Sequence, residues 1–317
     1  PFRGLEIRGG YQEVTRAPNL GELFAVATTG LDNFSADPCA GAAPLSNATL
    51  RATCLAQGAP AGSIGNIIVD PAGQVNVTTG GNPNLDAENA YTWTIGAIVQ
   101  PGFLPRFSLT VDYYNIVLRD AITSPTIGDV FGACFGPNLT GAGSATDPAC
   151  TSIRRNPATG NLFGSVATTP GLPLVLTNQG RLATDGIDLV MNWSKDFGDA
   201  ALDLSFFGNW TNHSRFQANQ NDPTSINRDC VGFYSINCGS IQPEFSFQQR
   251  TTLSLGDADI SLRWRFVDAV EVEPSEASNF LEDFRSIPSE HYFDLTTRFV
   301  VQDNFTFTIA AINLFDN

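Results

Sequence analysis

The stretch FSLTVDYYNIVL, Phe107–Leu118, decides the fold class of this chain. Alternate residues in its first half are large and apolar, namely Phe107, Leu109, Val111 and Tyr113. The residues between them are polar, namely Ser108, Thr110, Asp112 and Tyr114. Because successive side chains of a β-strand point to opposite faces, this period of two predicts a strand with one apolar and one polar face. The apolar face contacts either a protein core or lipid.

Eight other stretches show alternation of the same kind: 4–14, 91–100, 174–193, 201–216, 245–255, 260–270, 291–301 and 305–314. The third of these is long and carries Gly180, where we expect an irregularity in the strand. We find no stretch with a convincing helical period. The sequence therefore predicts an all-β fold of about nine strands and no helix.

The connections between the predicted strands alternate regularly between long and short. The long ones cover residues 15–89, 119–173, 217–244 and 271–290. The short ones cover residues 101–106, 195–200, 256–259 and 302–304. In an antiparallel meander, alternate connections emerge on the same side, so all long loops lie at one end. Outer-membrane barrels have this arrangement, with long extracellular loops and short periplasmic turns, whereas a soluble sandwich has no reason for it.

The composition excludes several classes of protein. Lys and Arg total 17 and Asp and Glu total 32, giving a formal net charge of −15 in 317 residues. Nucleic-acid binding needs a basic surface, so no nucleic-acid partner is expected. Only 15% of residues are charged, compared with about 25% in soluble domains. No run of about 18 apolar residues occurs, which excludes a transmembrane helix but not a barrel of shorter alternating strands.

Charged residues occupy the polar faces of the predicted strands. They are Glu6, Arg8, Asp112, Asp188, Asp203, Arg263, Arg265, Asp294 and Arg298. Such mixed charge is intolerable in a dry core but suits a water-filled or plugged lumen. The apolar faces carry residues placed to form interfacial girdles, namely Trp93, Trp193, Trp210 and Trp264. We therefore expect an antiparallel up-and-down transmembrane β-barrel, with the charged residues facing a plug, a substrate or lumen water.

The six cysteines form three close pairs in the long loops: Cys39 with Cys54, Cys134 with Cys150, and Cys230 with Cys238. Six cysteines allow 15 pairings in principle. We favour the local one because short loops close at low entropic cost. Metal ligands and free thiols are the less favoured alternatives, since no C-x-x-C spacing occurs. Disulfides imply an oxidising compartment and would rigidify the loop tips.

Other candidate sites have weaker support. The acidic residues Glu271, Glu273, Glu276, Glu282 and Asp283 could bind calcium, but their irregular spacing favours a solvated loop. The loop aromatics Phe34, Phe131, Phe135 and Tyr234 could stack on a flat ligand, but packing within the loops is the favoured interpretation. Neither a nucleophile motif nor a phosphate-binding loop is present. We therefore predict no catalytic residue, no metal site, no cofactor and no enzyme.

Five stretches resemble motifs of the TonB-dependent outer-membrane receptors, in the order found in that family. They are TRAPNLGELF (15–24), GNPNLDAENAYTWTIGAIVQP (81–101), FSLTVDYYNIVLRDAI (107–122), TDGIDLVMNW (184–193) and AAINLFDN (310–317). Each motif alone is modest. Asp188 stands where the family commonly has Glu. Together the five cover nearly the whole chain, and the resemblance is therefore specific.

The resemblance implies a barrel of about 22 strands closed by an N-terminal plug. It implies import of a scarce nutrient across the outer membrane of a Gram-negative bacterium, with outer-membrane lipid and the TonB energy-transducing complex as partners. Since the chain opens on Pro1 without a signal peptide, we interpret residues 1–317 as one domain, the C-terminal portion of such a barrel. Counting back from the final motif makes its strands about the thirteenth to the twenty-first. The plug, the TonB box, the earlier strands and the last one are expected to be missing.

Two other classes remain as alternatives. One is a soluble or surface-exposed binding or adhesion protein, rich in β-structure and braced by disulfides. The other is a passive porin. The substrate stays open as well, because members of the family that the chain resembles take up iron siderophores, oligosaccharides, peptides or cobalamin.

Overall fold

The structure is a computed structural model that describes residues 4–136, 138–217, 227–235, 238, 241–274, 276–302 and 304–316. Some sequence-based expectations fall partly outside these residues. They are the second long loop (119–173), the third long loop (217–244), the acidic loop (271–290), the turn at 302–304 and the final motif (310–317). We describe those segments only where the structure covers them.

Nine long strands form one antiparallel meander in which every strand pairs with its neighbours along the chain. Their bounds are β1 Leu5–Arg16, β2 Glu88–Val99, β3 Phe107–Thr123, β4 Thr177–Phe197, β5 Ala200–Gln217, β6 Phe245–Leu255, β7 Ala258–Val267, β8 Glu290–Val301 and β9 Phe305–Ala311. The prediction of about nine antiparallel strands is confirmed. Among the described strands β1 and β9 do not pair with each other, so the sheet is open.

All long connections leave the sheet at one end, which we call the loop end, and all short ones leave at the opposite turn end. This arrangement follows from the antiparallel order and confirms the alternation seen in the sequence. The largest boundary differences are in β3, which continues to Thr123 instead of ending at 118, and in β4, which covers 177–197 instead of 174–193. Most other strand ends shift by one to three residues.

The irregularity expected near Gly180 is present. The pairing of β3 with β4 slips twice between Leu118 and Thr123, and Gly180 lies opposite Ala121 between the two slips. A side chain at Gly180 would approach the Thr123 hydroxyl too closely, which explains a residue without a Cβ at this bulge.

The prediction that the chain contains no helix is wrong. In the described residues of the first two loops there are five short α-helices: α1 Leu20–Phe24, α2 Ala43–Ser46, α3 Ala48–Ala56, α4 Ile127–Phe135 and α5 Pro148–Thr151. They are too short to show a clear amphipathic period, so their start signals are more informative than their spacing. Throughout the described ranges, no helix is both long and apolar enough to cross a membrane.

The first two long loops fold together into what we call the first cap unit, the described residues of 25–87 and 124–176. A small sheet of Thr28–Asn33, Gln74–Thr79 and Leu172–Pro173 joins the two loops. The main cluster of buried apolar residues lies here and not on the long sheet, and it includes Phe131 and Phe135. We expected separately braced loops, but the structure shows that each loop supplies part of a common core.

The third and fourth long loops form the second cap unit, consisting of the described residues of 230–244 and 268–289. Short strands at Phe233–Tyr234, Val270–Val272 and Ser286–Ile287 build its sheet. Val270 and Val272, both on its middle strand, are buried. Both cap units stand at the loop end.

Candidate functional site

The register of the long sheet places all nine charged candidates on one face, which we call the charged face. Directly paired residues in neighbouring strands share a face. One such row runs from Arg8 through Gly96, Asp112 and Asp188 to Asn209. The opposite, apolar face carries the other half of every strand. The structure thus separates charge from apolar surface across the sheet.

Arg8 and Asp112 form an ion pair although strand β2 lies between their strands. Arg8 Nε donates to Asp112 Oδ1 at 2.9 Å and Nη2 to Oδ2 at 2.5 Å. The residue between them is Gly96, and a methyl group there would overlap the Asp112 carboxylate. The missing Cβ at Gly96 therefore allows two charged side chains to meet across a whole strand.

We expect Gly96→Ala to lower the stability of the full-length protein by about 1–3 kcal/mol, since the new methyl must displace the Asp112 carboxylate or the backbone. Heat- or urea-induced unfolding, monitored by the difference in gel mobility between folded and unfolded protein, measures the change. Gly102→Ala is the matched control, because a Cβ there has no atom within 4 Å. Equal midpoints for the two variants would contradict the argument.

A second charged group joins β7, β8 and the segment after β9. The Asp294 carboxylate, in a residue only 5% exposed, accepts from Arg263 Nε at 2.7 Å, Arg265 Nη2 at 3.2 Å and the Asn313 backbone N–H at 2.9 Å. The guanidinium of Arg265 also lies 5.2 Å from the Tyr292 ring centroid. One buried carboxylate therefore organises two arginines and anchors the chain beyond the last described strand.

Arg250, which was not among the predicted residues, lies beside this group. It pairs with Arg263 in the register of β6 and β7, and its Nη1 donates to Ser261 Oγ at 3.1 Å. Two arginines directly opposite each other repel. Since Arg250 lies beside Arg263 and Arg265, which share the carboxylate of Asp294, this part of the charged face is locally positive although the chain is acidic. The alternation of Gln248, Arg250 and Thr252 along β6 was the available signal.

The remaining candidates are spread over the charged face. Arg298 pairs with Asp259 at 3.6 Å, and Asp188 accepts from Asn209 Nδ2 at 2.8 Å. Asp203 lies opposite Thr252, and Glu6 is exposed on the edge strand β1. The structure therefore does not gather the nine residues into one pocket. On the described part of this face it forms two ion-paired groups, around Asp112 and Asp294, and a looser third pair, Arg298 with Asp259.

The apolar face becomes more polar toward the loop end. Trp93 and Tyr113 lie side by side, with ring centroids 5.1 Å apart, and the Tyr113 hydroxyl donates to Asp185 at 3.1 Å. Further toward the loop end, His213 and Asn212 also contact Asp185. A ring with an apolar body and a polar tip suits a boundary between apolar and aqueous surroundings.

The motif TRAPNLGELF forms a compact junction at the loop end. Arg16 donates to Glu22 at 3.0 Å and to Glu88 at 2.5 Å. Asn19 caps α1 and forms a capping box with Glu22. The hydrogen bond from Arg16, followed by that from the Asn19 backbone, lowers the pKa of Glu22 below its ordinary value. This junction fixes the first loop to β1 and β2.

All three predicted disulfides are present: Cys39–Cys54, Cys134–Cys150 and Cys230–Cys238. The loop aromatics pack against other loop side chains, as favoured, but two of the three contacts join different long loops and do not lie within a single loop. Phe34 stacks on Phe131 with centroids 4.8 Å apart, and the Phe131 and Phe135 side chains are buried. Tyr234 meets Phe280 edge to face at 6.0 Å. The buried Phe131 and Phe135 rings have no exposed face on which a ligand could stack.

The acidic loop does not gather its carboxylates. In the part of the chain that the structure describes, no three His, Cys, Asp or Glu side chains converge as metal ligands would. Both histidines lie at the loop end of the long sheet. His213 contacts Asp185, and His291 accepts from Trp264 Nε1 at 3.1 Å.

Comparisons with known proteins agree with this architecture. The family model described as TonB dependent receptor-like, beta-barrel, matches residues 1–314. A variant of the ferric enterobactin receptor PfeA from Pseudomonas aeruginosa, in complex with enterobactin, matches with a TM-score of 0.58 and 10% identity over 99% of this chain and 34% of that chain. The siderophore receptor PirA from Acinetobacter baumannii matches with a TM-score of 0.54 and 13% identity over 99% of this chain and 35% of that chain.

A comparison with curated proteins finds no match. At these identities the structural likeness establishes the fold alone, and the chain spans about a third of the length of the receptors it matches. The family model covers nearly every residue, including the open meander, the charged face and the long loops. The chain therefore belongs to the family of TonB-dependent receptor β-barrels.

Proposed function

We propose that this chain is part of an outer-membrane receptor of a Gram-negative bacterium that imports a scarce nutrient with energy delivered by TonB. The observation that carries the proposal is the separation of an apolar and a charged face along nine strands whose long loops all leave at one end. An apolar outer face suits lipid, and a charged inner face suits a plugged or aqueous lumen. The disulfide-bearing loops then lie outside the cell.

The two faces of the sheet have distinct roles in this proposal. On the apolar face, Phe107, Leu109, Val111 and Tyr113 of β3 contact lipid. On the charged face, Arg8, Asp112 and the group around Asp294 face the plug or the substrate path. Trp93 and Tyr113 form the outer girdle. TonB is engaged through a part of the receptor outside this chain.

Chelated iron is the substrate class we favour. The support is that the matched structures carry the names of siderophore receptors, one of them bound to enterobactin. The positive group of Arg250, Arg263 and Arg265 is compatible with an anionic iron chelate passing along the charged face, because guanidinium groups pair with oxygen-rich anions.

The test compares a strain that lacks the receptor gene with the same strain carrying the gene for the full-length receptor. We expect uptake of radioactive iron from at least one siderophore only in the complemented strain, and loss of that uptake when TonB is inactivated. Uptake that persists without TonB would support a passive porin. Release of the receptor by salt without detergent would support the adhesion alternative. If only an oligosaccharide is taken up, and its uptake depends on TonB, the proposal of an importer stands and the proposal of chelated iron as its substrate is wrong.

A further inference from the structure

The two cap units meet at a charged side chain, Arg228, that lies between them. Arg228 sits on the short strand Asn227–Asp229, which pairs with the loop end of β5. Its side chain is only 9% exposed, and its guanidinium lies 5.7 Å from the Phe216 ring centroid. A charge so removed from water needs partners, and the structure provides one from each cap unit.

Asp129 of the first cap unit and Glu273 of the second face the same guanidinium. Arg228 Nη2 lies 3.8 Å from Asp129 Oδ1, and Arg228 Nε lies 3.9 Å from Glu273 Oε1. Each carboxylate is held in its own unit through its other oxygen. Asp129 Oδ2 accepts from the Thr126 backbone at 2.8 Å at the start of α4, and Glu273 Oε2 accepts from Ser235 at 2.7 Å.

The contacts at this seam are looser than those inside each unit. Distances of 3.8 and 3.9 Å are attractive between charges but too long for hydrogen bonds. Within the described residues, Arg228 Nη1 and Asp129 Oδ1 have no hydrogen-bond partner. By contrast, the first unit is internally clipped by Arg155 and Asp37 at 2.7 Å and by two disulfides.

We propose that Arg228 is a latch between the two cap units, so that the caps open along this seam as two bodies instead of as four independent loops. Closing by about 1 Å would turn either long contact into a direct charge-assisted hydrogen bond. Opening would expose Asp129 and Glu273 to water without breaking the fold of either unit. The latch concerns cap motion and holds whichever substrate the receptor carries.

The test measures distances between spin labels in the full-length receptor in lipid nanodiscs. A genetically encoded keto amino acid carries each label, so the three disulfides stay intact. Labels at the exposed positions Ala167 and Glu282 report the distance between the units, and labels at Ala167 and Arg51 report a distance inside the first unit. We expect Arg228→Ala to raise the ratio of open to closed molecules between the units by about tenfold, and Arg228→Lys to raise it less.

The distance inside the first unit should stay unchanged in every variant. Arg215→Ala is the matched control, because Arg215 pairs with Asp229 beside the latch and contacts neither Asp129 nor Glu273 in the structure. Glu273→Gln should open the seam as Arg228→Ala does. If the distance between the units is unchanged in Arg228→Ala, the latch proposal is wrong. It is also wrong if the distances between the units and inside the first unit both broaden, since that would mean general unfolding. No substrate is added, so failure of the import proposal leaves this result interpretable.

Discussion

Replacing Asp37 with Ala should unfold the first cap unit or bring it close to unfolding, while the barrel strands stay intact. Asp37 forms two contacts of 2.7 Å with the Arg155 guanidinium. The two side chains are 4% and 0% exposed. Removing one member of a buried ion pair leaves an uncompensated charge, which costs about 3–5 kcal/mol. Arg155 also donates to Gln57 Oε1 at 2.7 Å, so its displacement disturbs α3 as well.

Hydrogen exchange of the amides in α3, measured in the full-length receptor, reports this local stability. A loss of about 3–5 kcal/mol raises exchange rates by about two to four orders of magnitude, up to the limit set by complete opening. Adding Arg155→Met to Asp37→Ala removes the buried charge and should restore part of the protection. Asp32→Ala, on the exposed side of the same loop, should change little. If the α3 amides of Asp37→Ala exchange at wild-type rates, the ion pair of Asp37 and Arg155 does not stabilise the first cap unit.

The sequence predicts the long sheet well because every strand carries its own evidence. In β3 the alternation between Phe107 and Tyr113 determines which side chains share a face, and no distant residue is needed to see it. The same reasoning assigned Arg8 and Asp112 to one face. It could not reveal their contact, because that depends on the register of two strand pairs and on Gly96 between them.

The caps were the poorly predicted part, for a different physical reason. Their helices are short, and their stability comes from packing between loops that are far apart in the chain. Signals for two helix starts in the first two long loops were nevertheless present, one just before the first cap unit and one inside it: Asn19 with Glu22 and Thr126 with Asp129 form capping boxes. For Arg155 the sequence offered no signal, since a lone loop arginine usually lies in water. Only the structure shows it buried against Asp37.

Replacing Phe131 with Ala should destabilise the first cap unit about as strongly as the loss of Asp37. The Phe131 side chain is fully buried, stacks on Phe34 from the first loop and lies 6.0 Å from the Phe135 ring. Truncating such a ring leaves a cavity and typically costs about 3–5 kcal/mol. Because Phe131 is on α4 and Phe34 is in the other loop, the cavity weakens the contact that joins the two loops.

Proteolysis and hydrogen exchange of the cap in the full-length receptor separate this effect from damage to the barrel. Phe103→Ala makes the same truncation at a turn-end side chain that is 88% exposed, and the cap should be unaffected. Phe131→Leu keeps most of the apolar volume and should recover part of the stability. If Phe131 instead served as a ligand platform, Ala would abolish binding and leave cap protection unchanged. Its complete burial makes loss of protection the expected outcome, with any loss of binding following from the unfolded cap.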